Sequence, residues 1–281
     1  MDDMRQSCET WRLLNDWHPL EGAVNMAVDE MLLEAVARPG ALPVLRVYAW
    51  QPPCLSLGYG QPWADVDVAA AEARGWHVVR RPTGGRAILH TDELTYSLAL
   101  PAEHPLALGT IVESYRRISQ ALLAALHTLG AAAFEAEPHP PEPAGGVLAD
   151  GVCFRVPSHY EITVGGRKLI GSAQVRRRGG VLQHGSLPLG GDLARICDVL
   201  AYANDAARAE AAARLHARAL TLETALGHRV LWEQAASAVI SAFAHTFGIA
   251  FQPRPLTADE RAHAHAIAAR AYADPAYTAR R

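Results

Sequence analysis

The chain has 281 residues, half of them hydrophobic, and a net charge of −3, which suits a soluble globular protein built on one large core or two modest ones. There is no global basic field to attract nucleic acid and no apolar run of about eighteen residues to span a bilayer, so neither is expected as a partner. The start, MDDMRQSCETWRLLNDW, is acidic and lacks a basic region ahead of an apolar one; it does not read as a secretory signal, and a cytoplasmic location is expected.

In chain order, residues 23 to 36 (AVNMAVDEMLLEAV) place Val24, Val28, Met31, Leu32 and Ala35 on one face and predict an amphipathic helix. PVLRVYAW and CLSLGY read as short strands around Pro52 and Pro53, and ADVDVAAAEARG as a helix ending at Gly75. WHVVRR, RAILH and ELTYSLAL supply further strands, and residues 109 to 130 a long helix closed by Gly130. FEAEPHPPEPAGGVLADG is too rich in Pro and Gly for regular structure and predicts an exposed or mobile loop. From Cys153 to Leu189 the pattern alternates as strands do, with GG and RRRGG as turns. Beyond Asp192 it reads as helical to the end, with Ala-rich segments around 206 to 217, 230 to 247 and 257 to 274. The expectation is an α+β (mixed α/β) domain around one twisted sheet: a single domain over 1–281, with 192–281 a mostly helical extension.

Four cysteines, Cys8, Cys54, Cys153 and Cys197, are far apart with no C-x-x-C pair, so neither a disulfide framework nor a zinc site is indicated, and reduced thiols are expected. RRPTGGRAILH, residues 80 to 90, lacks both the Lys-Ser/Thr ending of a Walker loop and the spacing of a dinucleotide fingerprint. Its Gly84 and Gly85 permit close backbone approach to a ligand, and Arg80, Arg81 and Arg86 are candidates to meet phosphate or carboxylate; the bland alternative is a tight turn with solvated arginines. The three arginines of VRRRGG are expected to be exposed together at a hairpin turn, with an acidic protein partner as the functional reading. His263 and His265 lie two apart on a predicted helix, off a common face, and read as surface residues rather than metal ligands. His90 and His184 lie in or beside the motif strands.

The sharpest signal is GVCFRVPSHYEITVGGRKLIGSAQ, residues 151 to 174. Lys and Arg together number 26, and Lys168 is the only lysine among them. An ammonium is a compact charge with an adjustable pKa, which a guanidinium cannot replace at a site needing a point charge or a proton carrier. Either Lys168 serves such a site, with Cys153 as a nucleophile beside it, or the singleton is an accident of composition and Cys153 a small buried filler.

These segments together, RRPTGGRAILH with ELTYSL, CFRVPSHYEITVGGRKLIGSAQ and GVLQHGSLPL, resemble the lipoate-protein ligase and octanoyltransferase superfamily, which shares a catalytic fold with biotin protein ligases. The likeness is greatest to the cysteine-dependent octanoyltransferases of the Gram-positive type. It implies a central mixed sheet with a C-terminal helical extension. It also implies octanoyl transfer from octanoyl-acyl carrier protein, through a thioester on Cys153, to a lysine of a lipoyl domain of 2-oxoacid dehydrogenases or of the glycine cleavage H protein. Lys168 would contact the acyl carbonyl, with Gly171, Ser172 and Ala173 beside it, His184 and Gly185 on the adjoining strand, and Arg80, Gly84, Gly85 and His90 along the substrate. No cofactor and no metal are expected, because the donor is already a thioester. Three alternatives stay open: an ATP-dependent lipoate ligase, a non-catalytic acyl or lipoyl-domain binding protein, and a cysteine hydrolase, for which no water-activating base is evident.

Overall fold

The computed structural model describes residues 8–135 and 161–281. Cys153 and nearly all of the Pro/Gly-rich segment therefore lie outside the described residues. In chain order the strands are β1 (Glu9–Leu20), β2 (Val44–Trp50), β3 (Cys54–Leu57), β4 (His77–Arg80), β5 (Ile88–His90), β6 (Glu93–Pro101), β7 (Ala133–Glu135), β8 (Ile162–Val164), β9 (Arg167–Arg177), β10 (Gly180–Pro188) and β11 (Ile249–Pro253). The helices are α1 (Gly22–Val36), α2 (Val68–Ala73), α3 (Ile111–Thr128), α4 (Asp205–Arg218), α5 (Leu222–Leu226), α6 (Trp232–Phe247), α7 (Ala258–Ile267) and α8 (Pro275–Thr278).

Among the described residues two sheets form, not one. Eight strands run in the order β11-β1-β2-β6-β10-β9-β8-β7, and β4-β3-β5 form a separate three-stranded sheet. The separation begins at Pro52 and Pro53, which lack the N–H that a ladder needs, so the chain leaves the main sheet after Trp50 and pairs elsewhere. In the large sheet β1 pairs parallel with both β2 and β11, and the remaining pairs are antiparallel. The sheet is thus mixed. Both hairpins around β9 turn on consecutive positive φ angles, Gly165 and Gly166 at 57° and 75°, and Arg178 and Gly179 at 54° and 79°, the geometry that matches strand twist in a two-residue turn.

Three further expectations are corrected. The residues after Asp192 are not helical throughout, because Gly248 ends α6 at a φ of 62° and β11 then joins the main sheet beside β1. The helix expected from 64 to 75 is shorter: the Asp67 side chain accepts from the Ala70 N–H and starts α2 at Val68. Nor do the three arginines of the β9–β10 turn stand free together. Arg176 is spent on Gln174 and the carbonyls of Gly109 and Thr110, Arg177 lies 3.5 Å from Glu30, and only Arg178 is mostly exposed, paired with Glu34 at 2.7 Å.

Strand alternation divides the centre of the large sheet into two buried faces. One face carries Leu45, Val47, Leu94, Tyr96, Leu98, Leu100, Val181 and Leu187, and packs with α3 and α6 into the main core. The other carries Arg46, Tyr48, Trp50, Glu93, Thr95, Ser97, His184 and Ser186, all nearly inaccessible. Helix α1 and the three-stranded sheet cover this second face, with Met26, Tyr48, Trp50, Cys54 and Val79 in one apolar cluster. Burying so many polar groups is costly unless they bond to one another, and the space between the layers is where they do.

Candidate active site

A cavity of about 450 Å³ opens over the polar face, a size within the ~300–1,000 Å³ of typical ligand pockets. Its floor is a row that crosses four strands in register: Tyr48 on β2 opposite Thr95 on β6, Thr95 opposite Ser186 on β10, and Ser186 opposite Gly171 on β9. Met26, Trp50, Ser56, Ile88, His90 and Lys168 add to the wall, while exposed Gly85 and half-buried Arg86 mark the mouth.

Two relays of hydroxyl, imidazole and carboxylate begin at Arg81 and bring His184, Ser56 and His90 to the cavity wall. In the first, Arg81 Nε donates to Thr83 Oγ1 at 3.1 Å, Thr83 Oγ1 lies 2.7 Å from His184 Nε2, and His184 Nδ1 lies 3.1 Å from Asp29. Asp29 is fully buried and also accepts from Arg46, Tyr48 and Ser97. Burial alone would raise its pKa, but the His184 hydrogen bond and the Arg46 charge outweigh burial and hold the carboxyl below its ordinary value. For His184 burial prevails and lowers the pKa despite Asp29. This lowering favours the neutral imidazole, and a tautomer with its proton on Nδ1, facing the carboxylate, leaves Nε2 to accept from the Thr83 hydroxyl.

The second relay runs from Arg81 Nη1 to Ser56 Oγ at 3.3 Å, from Ser56 Oγ to His90 Nε2 at 2.8 Å, and from His90 Nδ1 to Glu93 at 2.6 Å. Glu93 also accepts from Thr95 and Ser186. Burial would raise it, and the charge and hydrogen bonds of these neighbours bring it below the usual carboxylate range instead. Trp50 stacks flat on His90 at 3.9 Å between ring centroids and donates to Thr95 at 2.7 Å.

Arg81 spends its remaining donors on the carbonyls of Ser56, Gly84 and Arg86, stapling the main chain of the RRPTGG segment. Gly58 permits that loop to sit where it does, since a Cβ there would fall 1.9 Å from the Gly85 carbonyl oxygen. On the opposite wall Gly185 is hemmed in the same way: a Cβ would meet Ser172 Oγ at 2.4 Å and Tyr96 Cε1 at 2.5 Å. Lys168 is buried and donates to Glu161 at 2.6 Å.

Of the residues named from sequence, Gly85, His90, Lys168, Gly171, Ser172, Ala173, His184 and Gly185 line this one cavity. Arg80 and Gly84 are not among its lining residues. Arg80 alternates with Arg81 and turns the other way, fully buried and donating to the carbonyls of Gly58, Gln61 and Thr278. The sequence reading missed Asp29, Ser56, Thr83, Glu93 and Glu161. Only Glu93 carried a signal, as the first of the polar residues at period two in E-L-T-Y-S-L, a strand otherwise apolar enough to be core. Among the described residues there is no cluster of ligand side chains that would hold a metal ion, and no helix long and apolar enough to cross a membrane.

A family model described as the lipoyl protein ligase A/B catalytic domain matches residues 21–244. The chain belongs to that family. It is 41% identical over 273 residues to the octanoyltransferase LipM of Kyrpidia tusciae, covering 95% of this chain and 97% of the relative. It is 43% identical over 262 residues to the octanoyltransferase LipM of Moorella thermoacetica, covering 90% and 92%. Among solved structures, the bi-partite lipoate protein ligase studied with its E2 lipoyl domain from Thermoplasma acidophilum superposes with a TM-score of 0.79, 21% identity and 96% coverage of each chain. The resemblance read from RRPTGGRAILH and the Lys168 segment is thereby borne out at the level of family and fold, and the α+β mixed sheet is that of the lipoyl ligase fold.

Proposed function

We propose that the protein is an octanoyltransferase that takes the acyl group from octanoyl-acyl carrier protein onto Cys153 and passes it to a lysine of a lipoyl domain. The observation that carries this reading is near-full-length identity of about two residues in five to relatives that are named octanoyltransferases. The cavity supports it, with a mouth framed by glycine backbone, aromatic and aliphatic side chains on the far wall, and a buried lysine at one side.

Because the donor is already a thioester, its exchange with the Cys153 thiolate needs no external activation. The thiolate attacks the acyl carbonyl and the carrier leaves as its thiolate, which takes up the proton Cys153 gave up; a lipoyl-domain amine then attacks the acyl-cysteine, passing its proton to the departing Cys153 sulfur and forming an amide. A free thiol is largely protonated at neutral pH, and a neighbouring ammonium lowers its pKa; Lys168 is assigned that role and the stabilisation of the oxyanion in both steps. Cys54 offers no competing nucleophile, since burial and then the charge of Glu93 push its thiol far up. The acceptor is a lipoyl domain of 2-oxoacid dehydrogenases or the glycine cleavage H protein.

The test is transfer from octanoyl carrier protein to an apo lipoyl domain, followed by mass spectrometry of the acceptor. Octanoylation without ATP is the expected result. Modification that appears only with ATP and free octanoate or lipoate would assign the chain to the ligases instead.

A further inference from the structure

The family match ends at residue 244, yet the chain beyond it returns to the loop that backs the mouth of the cavity. After α7 the Tyr272 hydroxyl donates to Glu30 on α1, and Asp274 caps α8 by accepting from the Ala276 N–H at 2.9 Å. Residues 275 to 281 then form a strap across the loop of residues 58 to 61. The Trp63 N–H, just past that loop, donates to the Arg281 carbonyl at 2.6 Å. The Arg280 guanidinium lies over the ring of Tyr277 in the strap at 3.8 Å and over that of Tyr59 in the loop at 4.6 Å.

Arg80 joins the two segments from inside. It is fully buried, and a guanidinium carries its donors on separated atoms of a rigid fork. Its Nε donates to the Thr278 carbonyl of the strap at 2.9 Å, and its Nη1 to the loop carbonyls of Gly58 at 2.9 Å and Gln61 at 2.6 Å. Among the described residues its charge meets carbonyl dipoles and no carboxylate. A buried cation held in this way is a poor source of stability; what it supplies is a fixed distance between strap and loop. The loop in turn sets the mouth. The Tyr59 N–H donates to the Thr83 carbonyl at 2.8 Å, the Arg81 N–H to the Leu57 carbonyl at 2.9 Å, and Gly58 is packed against the Gly85 carbonyl. Thr83 carries the hydroxyl bonded to His184, and Gly85 and His184 both line the cavity.

We propose that Arg80 is a positioning residue and residues 275 to 281 a working part of the active site: acting through Arg80, the strap holds the loop, and with it Thr83 and Gly85, in the geometry that transfer requires. The proposal rests on the acyl-transfer reading for the reaction it serves. An ammonium has its donors on one atom and cannot span from Thr278 to Gln61, so lysine keeps the charge at this position and loses the bridge.

The experiment compares the wild type with Arg80→Lys, a chain ending at Asp274, the two changes combined, and Arg12→Ala, which removes the pair between β1 and Glu260 of α7. Amide hydrogen exchange is measured beside steady-state transfer from octanoyl carrier protein. In Arg80→Lys and in the shortened chain, residues 58 to 61 and 83 to 86 should exchange roughly ten-fold faster while β2 and β10 are unchanged. The kcat per folded molecule should fall about ten-fold or more, with a smaller change in KM. The combination should be no worse than the worse single change, because both cut one connection. Arg12→Ala should lower Tm and leave mouth exchange and kcat as in the wild type. Should the shortened chain fail to fold, Arg80→Lys decides. Wild-type exchange at the mouth of a folded variant, normal kcat in a variant whose mouth exchanges fast, or a loss that only tracks Tm would overturn the proposal. A wild type that acylates its acceptor only with ATP would remove the transferase reading, and exchange and ATP-dependent turnover of the same variants would still decide the role of the strap.

Discussion

Lys168 is the residue on which the sequence placed most weight, and its surroundings make a sharp demand. Its ammonium is buried and bonded to Glu161 at 2.6 Å, so a planar guanidinium, broader and unable to release its proton, cannot be accommodated in the same position. Lys168→Arg should lower transfer on the order of 100-fold while the protein stays folded by circular dichroism; near-normal turnover would make the solitary lysine an accident. A second prediction concerns the Asp29–His184 pair. The pKa of His184 is lowered on folding, so as pH falls below the ordinary histidine value of ~6.5 the unfolded chain takes up a proton that the folded one refuses, and stability declines. Asp29, also lowered, contributes stability that is present above the unfolded carboxyl value of ~3.9 and is lost as pH falls through its folded value. The denaturant midpoint should therefore drop from pH 7 to pH 5, and His184→Gln should flatten that slope. An equal slope in the variant would mean that other groups carry it. Lys168 stood out in sequence as the only lysine of the chain, and it lines the cavity; Cys153, named beside it, lies outside the described residues. Asp29 did not stand out, because an acid on an amphipathic helix reads as solvent-facing until β2 and β10 beneath it are known to present Arg46, Tyr48 and His184.

At the scale of elements, α1, β2, β6, β10 and the long α3 follow directly from periodicity, and α3 from its Thr110–Glu113 capping box as well. Strand β1 and the short β7 and β11 escaped it. ETWRLLNDWHPL mixes charges with large apolar residues and makes sense as a strand only once β2 and β11 flank it in parallel, a non-local pairing that local pattern cannot report. The meeting of β9 and β10 is the element-level feature on which the cavity depends. Gly185 stands opposite Ser172 in the ladder with no room for a methyl group. Gly185→Ala should force the two strands apart, costing about 1–3 kcal/mol of stability and more than proportionate activity, measured by thermal unfolding beside the transfer rate. A fully active, equally stable variant would show that β9 and β10 are not held to this spacing.

For the whole molecule, two layers close over one polar sheet face: α1 on one side and the three-stranded sheet on the other. Sequence could announce an α+β fold from its alternation of strands and helices, but not that the strands divide between two sheets, because that depends on which partner β3 chooses after Pro53. The division is what creates the cavity, and it gathers residues as distant as Asp29, His90 and His184 into one site. The central claim is that this site works through a cysteine. Intact mass measurement of the protein mixed with octanoyl carrier protein, without ATP and without acceptor, tests it most directly. The expected result is one octanoyl adduct that maps to Cys153, is released by hydroxylamine, is consumed on addition of apo lipoyl domain and is absent in Cys153→Ala. Full ATP-dependent lipoylation by Cys153→Ala, with no adduct on the wild type, would contradict it.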